Sequence, residues 1–349
     1  MMKYASFRTK LFSYLIDRRA VWMTFILGLF VILAGLISIG VGEIFMTPVE
    51  VGKALFGYGT EMNELVVKQF RFPRVAMAIL AGGALAVSGA ILQGMIRNPL
   101  ASPDILGITW GGALATIGFL TIFSDRANAL TVSIQWLPLA SFIGAIATGF
   151  LVFVLSYKNG ISPIRLVLIG IGLAAVLQAL TTLLMIVGPI YRASDANIWI
   201  TGSVHGTNGK DVLTLLPWVA ILLLVLMVYS RRVNLQELGD DVAKGAGAIL
   251  MRDRIVLLFI STGLAGGAVA FAGGIGFVGL MAPHIARKLV GASFGVLVPA
   301  SALVGSMLVI IADLIGRTLF SPLEVPAGVF TAAIGAPYFV YLLYRSRNL

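Results

Sequence analysis

The chain has 349 residues, 59% of them hydrophobic and 11% charged, with a mean hydropathy of +0.99; soluble domains carry about 25% charged residues, so an ordinary soluble protein is excluded. The formal charge of +10 comes in short basic clusters between apolar runs, which excludes a continuous nucleic-acid groove and fits the cytoplasmic ends of membrane spans. There is no cysteine, and the two histidines are far apart, so disulfides, thiolate chemistry and a cysteine- or histidine-rich metal site are excluded too.

Residues 1–20, with Lys3, Arg8, Lys10, Arg18 and Arg19, read as a cytoplasmic tail. The apolar run 21–41 that follows is longer than a signal-peptide core and lacks an Ala-x-Ala site, so it is a retained first helix. Further apolar runs cover 74–96, 104–123, 135–156, 164–188, 212–230, 254–273, 274–290, 294–316 and 326–344, most of them close to the length of about 20 residues that a crossing needs. The expectation is an all-α integral membrane fold, a single domain over 1–349 with ten transmembrane helices. With both termini inside, 17 of the 25 basic residues fall on the inner side, as cytoplasmic loops require.

Two features mark the interior. The eighth run, 274–290, is short, and Gly274, Gly276, Gly279 and Pro283 argue against a continuous helix; a broken helix at membrane depth persists only where protein or a wet cavity serves the freed backbone groups. Gly276, Gly279 and Pro283 are therefore candidates for a substrate path. Second, Gly82-Gly83-Ala84-x-Ala86-x-x-Gly89 recurs 184 residues later as Gly266-Gly267-Ala268-x-Ala270-x-x-Gly273, and Pro99 recurs as Pro283. The copies run in opposite directions in this topology, as in transporters built from inverted repeats.

Several motifs have two readings. Gly274-x-Gly276-x-x-Gly279 matches a dinucleotide fingerprint, but inside a membrane run it lacks the strand and helix that give the pattern meaning. No P-loop motif occurs, so this chain holds no ATP through one. Arg71-Phe72-Pro73-Arg74 stands at an outer span end, either as interfacial snorkelling or as a site for carboxylates of an external partner. Asn98-Pro99-Leu100-Ala101-Ser102-Pro103-Asp104 is turn chemistry, or a stiff inner gate. Between Arg231 and Arg254, Leu235, Leu238, Val242 and Ala246 recur at helical spacing with Gly239 as a bend. This is either a solvated loop or an amphipathic element that docks into a cytoplasmic partner.

Arg71-x-Pro73-Arg74, Gly82 to Gly89 with Gln93, and Asn98-Pro99-Leu100-Ala101-x-Pro103-x-x-Leu106-Gly107 resemble the permease subunits of ATP-binding-cassette importers for iron–siderophore complexes, haem and vitamin B12. So do Trp199-x-x-Gly202-Ser203, Leu238-Gly239-x-x-x-Ala243, Gly276-Phe277-Val278-Gly279-Leu280-x-x-Pro283-His284-x-x-Arg287, and Glu324-x-Pro326-x-Gly328-x-x-Thr331-Ala332-x-x-Gly335-Ala336-Pro337. The resemblance runs in order from about residue 20 to 345. It implies ten spans with a short eighth, in the bacterial cytoplasmic membrane. A second permease subunit, two ATPase subunits that hold ATP and Mg, and an extracytoplasmic binding protein would be partners, with no cofactor in this chain and no nucleic acid.

The same resemblance assigns docking of the binding protein to Arg71, Arg74 and Arg317, and the cytoplasmic gate to Asn98 and Leu100. ATPase coupling falls to segment 233–252, with Leu238, Gly239, Ala243, Gly245 and Gly247. The chain departs from it at Ala292-Ser293-Phe294, where relatives have an Asp-His-type pair, and at Ala246, where leucine is common. Import of an iron–siderophore chelate is the expected function, with haem or vitamin B12 as alternative cargo. An ion-coupled secondary transporter normally needs ionisable groups within spans, and Asp313 is nearly the only candidate. An intramembrane enzyme finds no catalytic constellation here.

Overall fold

A computed structural model describes residues 4–8, 13–125, 130–158, 160, 162–188 and 193–346. Lys3, Lys10, Arg126, Arg192 and Arg347, which entered the charge count, lie outside the described residues. The chain opens with an antiparallel hairpin of β1 (Tyr4–Arg8) and β2 (Ser13–Asp17), a small exception to an otherwise helical fold. Asp17 then caps α1 (Arg18–Gly40), its carboxylate accepting from Arg19 N at 2.9 Å, as N-cap aspartates do.

Two short helices that the hydropathy does not announce follow. In α2 (Pro48–Leu55), Thr47 and Glu50 form a reciprocal capping box. Helix α3 (Glu61–Leu65) passes through a π-helical turn, Val66–Arg71, into α4 (Phe72–Ile96). Together they form one helix of 36 residues. The chain continues through α5 (Ile108–Ile122), α6 (Leu137–Ser156), α7 (Pro163–Val187), α8 (Ala193–Thr201) and α9 (Gly209–Glu237). It ends with α10 (Asp240–Gly245), α11 (Leu250–Ala272), α12 (Val278–Val290), α13 (Phe294–Thr318) and α14 (Ala327–Ser346). Among the described residues eight helices are long and apolar enough to cross a membrane, and α5 is a shorter apolar helix.

The glycine-rich repeats lie in the two central helices. The most apolar windows of α4 and α11 are 83% and 78% buried, against 22% for α1 and 17% for α9. Small residues permit this. A Cβ on Gly82 would sit 2.5 Å from the Gly305 carbonyl of α13, and Ser88 of α4 and Ser261 of α11 bond each other at 2.8 Å. Close backbone approach and hydroxyl bonding hold helices together where lipid supplies no hydrophobic drive.

Helix ends define two opposite faces. On one, the end of α1 meets Arg71 and Arg317, from the start of α4 and the end of α13. On the other, Arg97 after α4, Asp240 at the start of α10 and Arg254 in α11 share one ion cluster, and Asn234 near the end of α9 accepts from Phe294 N at 2.8 Å. Helices α4 and α11 therefore run antiparallel, as the inverted repeat requires. Each is followed by non-helical backbone and a short helix, α5 of 15 residues and α12 of 13. The prolines fit the repeat less well, since Pro99 lies in a loop and Pro283 inside α12.

Several boundaries need correction: besides the second run, whose helix starts at Glu61, and the eighth, helical only from Val278, these stand out. The third run begins helically at Ile108, not 104, because Pro103 and the left-handed Gly107 delay it. The sixth extends from Gly209 to Glu237, so residues 233–237, the start of the expected coupling segment, continue that helix. The other end of that segment, from Leu250, likewise belongs to α11.

Candidate functional site

The predicted residues fall in three zones, the first on the face where α1 ends. The last carbonyls of a helix have no partner within it, and two arginines serve those of α1. Arg71 donates to the carbonyls of Ile39 at 2.7 Å, Gly40 at 3.2 Å and Ile44 at 2.6 Å. Arg317 donates to Val41 O at 2.6 Å, to Ser38 Oγ at 3.0 Å and to the Ser38 carbonyl. Arg74 instead holds Asp313 through Nε at 3.0 Å and Glu324 through Nη2 at 2.9 Å, and Glu324 meets His205 Nδ1 at 2.6 Å. Burial works against the charged form of Glu324, but the hydrogen bond and charge of Arg74, and then His205, hold its carboxyl below the ordinary range. The structure thus gathers Arg71, Arg74 and Arg317, and adds Ser38, Asp313 and Glu324 as their partners.

The second zone surrounds the break before α12. Phe277 takes a left-handed φ of 66°, uncommon for any residue with a side chain. Its N–H is received by Asp104 Oδ2 at 3.3 Å, and Asp104 Oδ1 accepts from Thr109 Oγ1 at 2.6 Å. One carboxylate therefore joins the starts of α5 and α12. Pro283 removes the N–H that would bond the Gly279 carbonyl, and α4 packs against that oxygen at Gly89, where a Cβ would lie only 1.7 Å away. Gln93 donates to the Leu280 carbonyl at 3.1 Å. Gly279 is packed against Pro103 and Leu85, whereas a Cβ on Gly276 would meet nothing within 4 Å. Gly276 borders a cavity of ≈ 390 Å³ that Asp104, Thr109, Trp110 and Phe339 also line. Asn98 and Leu100 stand lower on the same loop, held by a hydrogen bond from Leu100 N to Asn98 Oδ1 at 2.9 Å. They do not reach the cavity lining.

The third zone is the opposite face. Gly239, at φ 110°, separates α9 from α10, the bend expected there. Leu238, Val242 and Ile249 are exposed, as are Gly245 and Gly247. Ala243 is fully buried against its own chain, so it supports α10 from behind and offers no contact surface. Asp240 takes Arg97 Nη2 at 2.8 Å and Arg254 Nη2 at 2.8 Å, tying α10 to the residue just before Asn98. Glu237 pairs with Arg287 of α12 at 3.1 Å.

Sequence reading quoted Asp104 and Glu324 within motifs but gave neither a role of its own, and it did not single out Asp240. A Pro-Asp loop and an acidic residue after glycine look like ordinary turn and cap chemistry. Only tertiary proximity distinguishes them. Among the described residues no group of three metal-ligating side chains forms.

Residues 29–345 match the FecCD transport family. The chain is 57% identical to the protein of Bacillus subtilis named 'Probable siderophore transport system permease protein YfhA', over 94% of this chain and 96% of that protein. It is 45% identical to the achromobactin transport system permease protein CbrC of Dickeya dadantii, over 92% and 91%. It is 40% identical to the iron(3+)-hydroxamate import system permease protein FhuG of Bacillus subtilis, over 91% and 95%. Among solved structures, an inward-facing metal-chelate type ABC transporter superposes with a TM-score of 0.82 at 31% identity, covering 93% of this chain and 99% of that one.

Proposed function

From the premise that this chain belongs to the FecCD transport family, as a multi-pass permease subunit of a bacterial ATP-binding-cassette importer, we propose that it imports a ferric siderophore chelate. A permease of this family is a transport subunit and not an enzyme, and it works with an ATPase and a binding protein. The observation that carries the cargo reading is the 57% identity to a siderophore permease over 94% of the chain. Haem and vitamin B12 have no such support among the relatives described. An ion-coupled mechanism is not favoured, since Asp313 is already paired with Arg74 and Arg317.

In this reading ten helices cross, with α5 and α12 as short partners, and both termini face the cytoplasm. Two permeases pair above two ATPase subunits that bind ATP and Mg. The binding protein docks on the outer rim at Arg71, Arg74 and Arg317. The gathering of Arg71, Arg74 and Arg317 at one end of the helices supports recognition of carboxylates on a partner. The exposed apolar residues Leu238, Val242 and Ile249 suit the cleft of an ATPase, with Gly239, Gly245 and Gly247 shaping the element and buried Ala243 bracing it. Motion of α10 would pass through the Asp240–Arg97 pair to the gate at Asn98 and Leu100. The broken helix at Gly276, Gly279 and Pro283 borders the path.

The test is reconstitution of the permease with its ATPase in vesicles, with binding protein loaded with a radio-iron chelate. ATP-dependent accumulation is the expected result. Absence of uptake with all three components active would overturn the assignment.

A further inference from the structure

A second cavity, of ≈ 780 Å³, is a groove on the flank of the helix bundle. Helices α6 and α9 both pack on α11 and supply its walls, while Gly267, Ala270 and Phe271, near the end of α11, supply its floor. Its polarity changes along its length. Where α9 begins, the lining is Gln135, His205, Asn208, Lys210 and Asp211. Deeper, it is Phe142, Leu215 and Trp218, and the rings of Phe142 and Trp218 meet edge to face at 5.1 Å, joining the two walls. Trp218 is fixed there by its Nε1, which donates to the Gly263 carbonyl of α11 at 2.9 Å. Lys210 and Trp218 stand eight residues apart on α9, roughly 12 Å at the helical rise. Half of a hydrocarbon core of about 30 Å is about 15 Å, so the groove is nearly one leaflet deep.

Its surroundings point to the occupant. Leu139 and Ile143 on α6 and Leu213 and Leu216 on α9 flank the groove and are exposed, so the wall it opens from is itself apolar. Trp136, at the mouth, is exposed, and indoles favour the headgroup level of a membrane. The charges at the mouth leave one cation over. Asp211 accepts from Asn208 N at 3.1 Å in the cap of α9, and His205 meets Glu324 at 2.6 Å. Lys210 is exposed and forms no ion pair among the described residues. A polar, cationic mouth over an apolar depth complements an amphiphile with an anionic head. A span of a second permease would be apolar over the whole depth and would leave Lys210 unanswered.

We propose that this groove is a phospholipid site, with the phosphodiester at Lys210 and one acyl chain laid between α6 and α9 against α11. Basic groups at span ends bind lipid head groups in this way. The lipid would brace the ends of three helices beside the rim, because His205 at the mouth also contacts Arg74 at 3.3 Å. This site is separate from the cavity at the break and holds whichever chelate is carried.

The experiment uses the assembled importer in vesicles of phosphatidylethanolamine and phosphatidylglycerol, doped with a phosphatidylglycerol that carries a photoreactive diazirine near the middle of one chain. Cross-links are located by mass spectrometry. Labelling should concentrate on residues 138–145 and 210–218, about fivefold or more above the exposed face of α7. Thr214→Trp, which fills the groove from an exposed lining position, should remove that excess, whereas Leu213→Trp, outside the lining, should not. Thr214→Leu replaces it if the tryptophan variant fails to insert. Lys210→Glu should lower the excess about fivefold at low salt. Labelling no denser in the groove than on α7 would mean ordinary surrounding lipid and would overturn the proposal. So would an excess that neither Thr214 variant reduces or that Lys210→Glu leaves unchanged, and so would cross-linking of the groove to a second permease. Radio-iron uptake by the same vesicles tests the importer reading separately.

Discussion

Arg71 separates two roles that sequence alone leaves merged, a clamp on the end of α1 and a docking contact for an external protein. Arg71→Ala removes three donated hydrogen bonds. The Gly40 carbonyl keeps Met46 N at 2.9 Å, and Ile44 is exposed enough for water to replace the lost donor. Ile39 is 4% exposed, so its carbonyl loses a charged donor with no substitute. Hydrogen bonds to charged groups contribute about 1.5–3 kcal/mol, and the replaced one adds about 0.5–1 kcal/mol. The expected destabilisation is about 2–4 kcal/mol. Arg71→Lys, a point charge without the fork, should recover only part of this. The assay is thermal unfolding of the purified permease at low and high salt, beside uptake in vesicles. A clamp predicts a lowered midpoint that salt does not restore, whereas a rim charge acts on association and is screened over about 8–10 Å. An Ala variant that unfolds with the wild type at both salts, yet docks the binding protein more weakly, would refute the clamp.

The other zones give further expectations. Arg97→Ala removes a pair with more than a third of the arginine exposed, so stability should change by about 0–1 kcal/mol, while chelate transported per ATP should fall several-fold; an unchanged ratio would remove Arg97 from the relay. Gly89→Leu, which drives a side chain into the Gly279 carbonyl, should abolish insertion or folding, as judged by protease resistance and abundance; a folded, active variant would contradict the α4–α12 contact. The folded pKa of Glu324 is lowered, so its contribution is complete above the unfolded value of about 4.3 and disappears as pH falls through the lowered one. The difference in midpoint between wild type and Glu324→Gln should therefore persist down to about pH 5 and shrink in stronger acid; a difference that vanishes near neutrality would contradict the sign. Reporters inserted near Gly245 and after Leu349 should read cytoplasmic and one near Asn208 external; an external C-terminus would mean that α12 does not cross.

What the sequence made legible follows from the range of each interaction. Hydropathy is summed over a window, so the apolar runs and the weak eighth one could be read directly. Gly82 and Gly89, legible in sequence only as part of a repeat, meet the carbonyls of Gly305 and Gly279. Helices α2, α3 and α8 escaped because they are short and are set by caps and neighbours more than by apolar length. Ala243 shows the limit for site residues. Its place in the motif was clear, but whether a small side chain faces inward or outward depends on how α10 is rotated, and that rotation is fixed by Asp240 between Arg97 and Arg254. These charges lie 143 and 14 residues from Asp240 in the chain, so no local pattern links them. Asp104 was hidden for the same reason. As part of a Pro-Asp loop it needs no explanation, and only the arrival of Phe277, 173 residues later, turns it into the polar link between two half-length helices. The inverted repeat makes that arrival intelligible. Two central helices of opposite direction each deliver a broken segment, and the backbone groups freed in one are answered by a side chain from the other.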